Sequence, residues 1–230
     1  QTNFAHGEVW AIALAWSGNS HHSVERNWDR SQSLGAGELL NSGEVILKSG
    51  ETYIAPTALA GYSNDGLDGL SHAFYQRLRA RASHPKSPRP LTLNVWEAIA
   101  FNHSDEALQK IADVAAEIGV ERLVLDDGWF HLRRDDRAGL GDWVVDPQVW
   151  PKGLAPIFQY IKAKGMQVGL WFEGEMINPE SDLYRAHPEW VLHTPHHPEN
   201  FWRNELVLDL TIPDAFHHVL QQVSKILTDL

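Results

Sequence analysis

Two adjacent aspartates, Asp126 and Asp127, close the run Leu123-Val124-Leu125-Asp126-Asp127-Gly128-Trp129-Phe130. Side by side, two carboxylates repel each other and lose hydration, so something has to recruit them: a metal, a cation or a cluster of hydroxyls. Two other apolar stretches end in a similar way. Asn94 and Trp96 close one, and Trp171, Glu173 and Glu175 close another. Oxygen acceptors beside indole faces suit a hydroxyl-rich, uncharged ring, because carboxylates accept from vicinal hydroxyls while tryptophan lies on the apolar face. Each residue also has a plain structural reading. Asp-Asp-Gly is ordinary turn chemistry, Trp96 and Trp171 can be lid packing, and Glu173 and Glu175 can pair with loop arginines. The recurrence at three stretch ends favours the sugar.

For these residues to meet, the elements carrying them must lie side by side. Leu123-Val124-Leu125, apolar without alternation, reads as a strand covered on both faces, and so as part of a parallel sheet. Functional groups in such sheets collect where strands end, at the carboxyl edge. The neighbouring segments fit. Residues 91–96 and 166–172 read as further strands. A helix capped by Ser104 and stopped at Gly119 separates the first two strands, and a helix over 154–164 stopped by Gly165 precedes the third. Beyond them come a short helix over 179–187, an extended Leu206-Val207-Leu208, and a helix over 214–230 with Phe216, Leu220, Val223 and Leu227 on one face. Alternating strands and helices give an α/β fold, either an open doubly wound sheet or a (β/α)8 barrel. The open version needs a Gly-rich turn after its first strand. Trp96-Glu97-Ala98 stands there instead, which favours the barrel.

The first part of the chain reads differently. Residues 9–16 and 24–28 read as strands, and Val45-Ile46-Leu47 and Thr52-Tyr53-Ile54 as a hairpin about Lys48-Ser49-Gly50-Glu51, together the last strands of a β-sandwich. Leu67, Leu70, Phe74 and Leu78 then form a helical stripe, ending in Arg77, Arg79 and Arg81. Three prolines within residues 84–90 mark a boundary, so residues 1–83 read as the end of a sandwich domain plus a connecting helix, 84–90 as linker, and 91–230 as barrel.

Bulk properties narrow the partners. The net charge of −11 over 230 residues argues against nucleic acid and anionic membrane, both of which need a basic face. With 0 Cys, there are no disulfides, thiolate nucleophiles or Cys-based zinc sites. A metal-dependent hydrolase could draw on the 13 His, but His21-His22, His196-His197 and His217-His218 are adjacent rather than at same-face spacing, so no metal site and no cofactor are expected. The 10 Trp hint at carbohydrate, although a tryptophan is also simply a good core residue.

The motifs taken together resemble one family. Asn94-Val95-Trp96-Glu97-Ala98, the Asp126-Asp127 run, Leu140-Gly141-Asp142-Trp143, Trp150-Pro151-Lys152-Gly153-Leu154, Gly169-Leu170-Trp171-Phe172-Glu173, Ser181-Asp182-Leu183-Tyr184-Arg185-Ala186-His187-Pro188 and Arg203-Asn204-Glu205-Leu206-Val207-Leu208-Asp209-Leu210 resemble the microbial α-galactosidases of glycoside hydrolase family thirty-six. The resemblance is strong from Pro90 to Leu230, and looser upstream, where Tyr62-Ser63-Asn64-Asp65-Gly66-Leu67 resembles the end of that family's β-supersandwich. It implies the first three or so strand–helix units of a TIM barrel. It also implies that Asp126 and Asp127 hold galactose hydroxyls at C4 and C6, that Trp96 and Trp171 form walls, and that Arg203 is a polar contact beside the site. One departure is Gly174, where the family usually has proline, which should loosen that turn.

The implied chemistry is retaining hydrolysis of terminal α-galactosyl residues of melibiose- or raffinose-type oligosaccharides by two carboxylates. The family's nucleophile lies in a Lys-Trp-Asp motif and its acid/base residue further on, and neither motif occurs in this chain. Asp209 lies in a different family element and is rejected as a stand-in. The expectation is therefore a fragment without catalytic residues of its own and without turnover, from an enzyme that is a cytoplasmic bacterial homo-oligomer; a chain starting at Gln1 leaves targeting unread. Alternatives are a galactosyl transferase of the same family and a non-catalytic sugar-binding module.

Overall fold

The computed structural model describes residues 2–193, 199 and 201–230. The paired His196-His197 lie outside them. The fold is mixed α/β, in two units spanning Gln1–Pro88 and Arg89–Leu230. Among the described residues no helix is long and apolar enough to cross a membrane.

The first unit holds strands β1 (Val9–Leu14), β2 (Ser20–Arg26), β3 (Gln32–Glu38) and β4 (Ala58–Ser63), then helix α1 (Gly66–Arg79). Two antiparallel ladders result, β1 with β4 (Val9 opposite Ser63) and β2 with β3 (Ser20 opposite Glu38). Two expectations fail here. Val45-Ile46-Leu47 and Thr52-Tyr53-Ile54 are not strands, although the turn between them forms, with Glu51 N–H donating to the Lys48 carbonyl at 3.0 Å. β-favouring side chains make a strand only where a neighbouring backbone takes up the hydrogen bonds, and both runs belong to no ladder. Conversely, β3 carries Gly35 and Gly37 and gives little strand signal, yet its pairing with β2 defines it.

The second unit is built on strands β5 (Thr92–Asn94), β6 (Arg122–Leu125) and β7 (Gln167–Leu170), parallel and in that spatial order. Short helix α2 (Trp96–Ile99) and helix α3 (Asp105–Glu117) connect the first pair, and α4 (Ala155–Ala163) leads into β7. Ser104 Oγ accepts from Ala107 N–H at 3.2 Å, satisfying one orphan donor at the start of α3. Gly119 and Gly165, both at φ 85°, let the chain leave α3 and α4. One face of the sheet, with Leu123 and Leu125, packs with Leu108, Ala112, Ile157 and Ile161 of the helices into the main core.

Among the described residues the sheet is covered on one face only. Arg122 and Val124 are half-buried and, with Gln167 and Gly169, line an open groove of about 810 Å³. The short run Leu123-Val124-Leu125 hid this alternation, because valine is as apolar as its neighbours. Trp96 likewise does not end a strand but opens α2, and Trp171 follows β7.

After β7 come β8 (Met176–Ile177), α5 (Asp182–Ala186), β9 (Leu206–Val207) and α6 (Pro213–Asp229). β9 pairs antiparallel with β8, outside the parallel sheet. The apolar row Phe216, Leu220 and Leu227 on α6 is exposed, while Ala215 and Ile226 are buried. Successive helical residues lie about 100° apart, so two adjacent apolar rows run along α6 and the periodicity alone does not choose between them.

Candidate functional site

The site forms where β5, β6 and β7 end. Asn94, the last residue of β5, accepts at Oδ1 from Trp96 N–H at 2.8 Å, and its Nδ2 donates to Asp126 Oδ2. One amide thereby fixes the start of α2 and one oxygen of the first aspartate. Asp126 Oδ1 accepts from Asp127 N–H at 2.7 Å. Gly128 follows at φ 110°, where a Cβ would lie 3.2 Å from Phe101 Cα, so the turn needs a glycine both for its dihedral and for the close approach. Asp-Asp-Gly is thus a turn and a pocket wall at once.

Beyond β7, Trp171 N–H donates to the Leu125 carbonyl at 2.9 Å, and the Trp171 carbonyl accepts from Trp129 Nε1–H at 2.9 Å. Trp96 meets Phe101 edge-on with centroids 5.0 Å apart. Arg203 arrives on a two-residue turn between Trp202 and Glu205, whose backbones exchange hydrogen bonds of 3.3 and 2.9 Å. Arg203 and Asn204 sit at φ 53° and 61°, the pattern of a type I′ turn. Asparagine tolerates this left-handed region, but an arginine held there is strained, and such strain concentrates at functional positions.

Trp96, Asp126, Asp127, Trp171 and Arg203 all line one cavity of about 640 Å³, together with Asn94, Glu97, Phe101 and Asp136. Glu173 and Glu175, expected on the same rim, do not line it. Glu175 is exposed, and Glu173 is half-buried, its Oε2 buried without a hydrogen-bond partner among the described residues. At Gly174 a Cβ would lie 3.1 Å from Val219 Cγ1, so glycine lets this turn sit against α6.

Behind the wall lies a charged layer that the sequence reading missed. Arg133, fully buried, donates from Nε and Nη2 to the two oxygens of Asp127, each at 2.8 Å. Its Nη2 lies 3.8 Å from Glu205 Oε1, and Arg203 Nη2 lies 3.7 Å from the same atom. Glu205 Oε1 itself accepts no hydrogen bond from the described residues. Burial raises the Glu205 carboxyl above its usual range, Glu173 adds to this, and Arg203 opposes it. Glu173 is likewise raised, by burial first, against Arg203. Arg133-Arg134-Asp135-Asp136 looks in sequence like a solvated loop. The available signal was Asp127 six residues upstream, a carboxylate needing a partner.

His103 sits behind the turn, its ring 6.3 Å from that of Trp150. Both ring nitrogens are buried without hydrogen-bond partners among the described residues, and desolvation lowers its pKa to about 4.

A melibiase profile matches residues 52–230, and a glycosyl hydrolase family 36 N-terminal domain profile matches residues 1–48. The chain belongs to the melibiase family. Its sequence is 43% identical to an α-galactosidase of Escherichia coli over 218 residues, 94% of this chain and 31% of that protein. The solved GH36 α-galactosidase AgaB of Geobacillus stearothermophilus superposes with a TM-score of 0.90 at 37% identity, covering 99% of this chain and 32% of that one. A variant of AgaA from the same organism, solved in complex with raffinose, gives a TM-score of 0.90 at 36% identity over 98% of this chain and 32% of that one. The chain therefore spans about a third of the length of these melibiase-family relatives, and the family read from its motifs is the one found.

Proposed function

We propose that this chain forms the galactose-gripping wall of a retaining α-galactosidase that acts on raffinose-type oligosaccharides. In this reading β5–β7 with their helices are the first units of a (β/α)8 barrel, and the strands before residue 84 are the end of a β-sandwich. The convergence of Trp96, Asp126, Asp127, Trp171 and Arg203 on one cavity carries the proposal. Indole faces opposite paired carboxylates match a pyranose, apolar on one face and hydroxylated at its edge. AgaA, solved in complex with raffinose, supplies the substrate class.

Asp126 and Asp127 act here as hydroxyl acceptors rather than as the catalytic pair. All four of their oxygens already accept a hydrogen bond, from Asn94, the Asp127 N–H and Arg133. An oxygen so held is a poor nucleophile, whereas its second lone pair remains open to a hydroxyl. The 230 residues therefore bind galactose and do not cleave galactosides by themselves.

Calorimetric titration of the chain with galactose and with glucose, its C4 epimer, tests binding, and incubation with a chromogenic α-galactoside tests turnover. Galactose-selective binding that Asp126→Ala removes, without hydrolysis, is the expected result. Indifference to the C4 configuration sinks the site, and hydrolysis sinks the assignment of roles to the two aspartates.

A further inference from the structure

We infer that Arg133, seated by Asn178, is a positioning residue that sets the orientation of Asp127 and ties the two loop arms of the pocket to it. The inference rests on the sugar-binding reading above and extends it to residues that touch no ligand. Two parallel N–H bonds to the two oxygens of Asp127 fix both the separation and the roll of the carboxylate plane, which a single ammonium cannot do. The guanidinium is itself held flat, its Cζ 5.4 Å from the Phe101 ring centroid and 5.8 Å from that of Phe130.

The remaining nitrogen links outward. Nη1 donates to the Ala138 carbonyl at 3.0 Å and to Asn178 Oδ1 at 3.1 Å. Asn178, also fully buried, accepts from Leu140 N–H at 2.9 Å through the same oxygen. Its Nδ2 donates to the Asp136 carbonyl at 3.3 Å and to the Asn204 carbonyl at 2.8 Å. One amide thus holds the loop that presents Asp136 and the turn that presents Arg203, and passes both to Asp127 through one guanidinium.

Burying a guanidinium is a poor way to gain stability alone, since apolar side chains of similar volume often do as well or better. A buried network that runs from the pocket residue Asp127 to the carbonyls of the pocket residue Asp136 and of Asn204, beside Arg203, is explained by aim. Each Asp127 oxygen spends one lone pair on Arg133 and keeps the other for the cavity. The roll set by Arg133 therefore decides where the acceptor lobes point, and with them which hydroxyl configuration is rewarded.

The test uses Arg133→Lys, which keeps the charge but not the fork, and Asn178→Asp, which keeps the shape but not the donors. Titration with galactose and glucose gives a selectivity ratio, and hydrogen exchange without sugar gives the loops. Expected in each variant is a fall of about tenfold in the galactose-to-glucose ratio. The amide of Glu205, in the turn whose Asn204 carbonyl Asn178 holds, should also exchange about tenfold faster while those of β6 keep their protection. Affinity lost equally for both sugars, or exchange accelerated throughout the unit, overturns the inference and leaves Arg133 merely structural. If Arg133→Lys fails to fold, Asn178→Asp is read by the same two criteria. A wild-type chain indifferent to sugar configuration removes the sugar reading. The positioning role then stands or falls on the exchange pattern alone.

Discussion

The strands of the Gln1–Pro88 unit make complete antiparallel ladders and bury almost nothing. Leu70 is its one fully buried large apolar side chain among the described residues, whereas Trp10, Trp16, Val24 and Ile54 are exposed and Trp28 is 97% exposed. The Arg89–Leu230 unit has strands of only two to four residues, yet its core joins Val95, Leu108, Leu123, Leu125, Trp129 and Trp143 with no exposure above 2%. Backbone pairing and side-chain burial are separable, and the pocket belongs to the unit with burial. Asp126 and Asp127 follow directly on Leu125, so their backbone inherits the rigidity of the core beneath.

Truncation draws this contrast most sharply. Leu123→Ala should cost about 2–5 kcal/mol of the second unit's stability, read from its denaturant midpoint, because both transfer energy and a cavity are lost. A loss under about 1 kcal/mol would mean that the core relaxes freely and does not stiffen the pocket.

Next in size is a pH effect confined to the second unit. His103 refuses a proton down to about 4 when folded, whereas the unfolded chain takes one up near the ordinary value of 6.5. Stability should therefore fall as pH drops through that window, by up to about 3 kcal/mol at its acid end. His103→Phe should flatten the acid limb of the melting curve, and an unchanged limb would relieve His103 of that role. Glu205 acts in the opposite sense. Its raised carboxyl holds a proton that the unfolded chain releases, so it subtracts stability as pH rises above the ordinary glutamate range. Glu205→Gln should flatten the curve just above the ordinary glutamate range, while an unchanged slope there would show that the buried carboxylate keeps its charge beside Arg133 and Arg203.

The smallest expected effect lies in the first unit. Ile54→Ala, at a side chain 88% exposed, should change stability by less than about 0.5 kcal/mol in the same denaturation experiment. A larger loss would show that this residue is covered in solution.

What could be read from the residues follows the same division. Helices α3 and α4 were legible because a serine cap and glycine stops frame a regular apolar stripe. The turn after Leu125 was legible because its chemistry is local. Arg133 and Asn178 were not, since a buried ion pair is defined by a partner brought near in space, and charged residues in sequence look solvated. Ile46 and Ile54 misled for the converse reason: their side chains favour a strand, and no ladder receives them. On α6 the pattern gave two rows, and only tertiary packing, through Ala215 and Ile226, selects one.

The left-handed turn at Arg203 and Asn204 has an evolutionary corollary. A glycine at 203 would relax a backbone that costs a Cβ-bearing residue about 1–2 kcal/mol. Selection for heat tolerance alone should therefore drift toward Arg203→Gly, giving a hardier molecule that has surrendered the one cationic side chain lining the cavity among the described residues. Robustness and recognition pull this one codon in opposite directions.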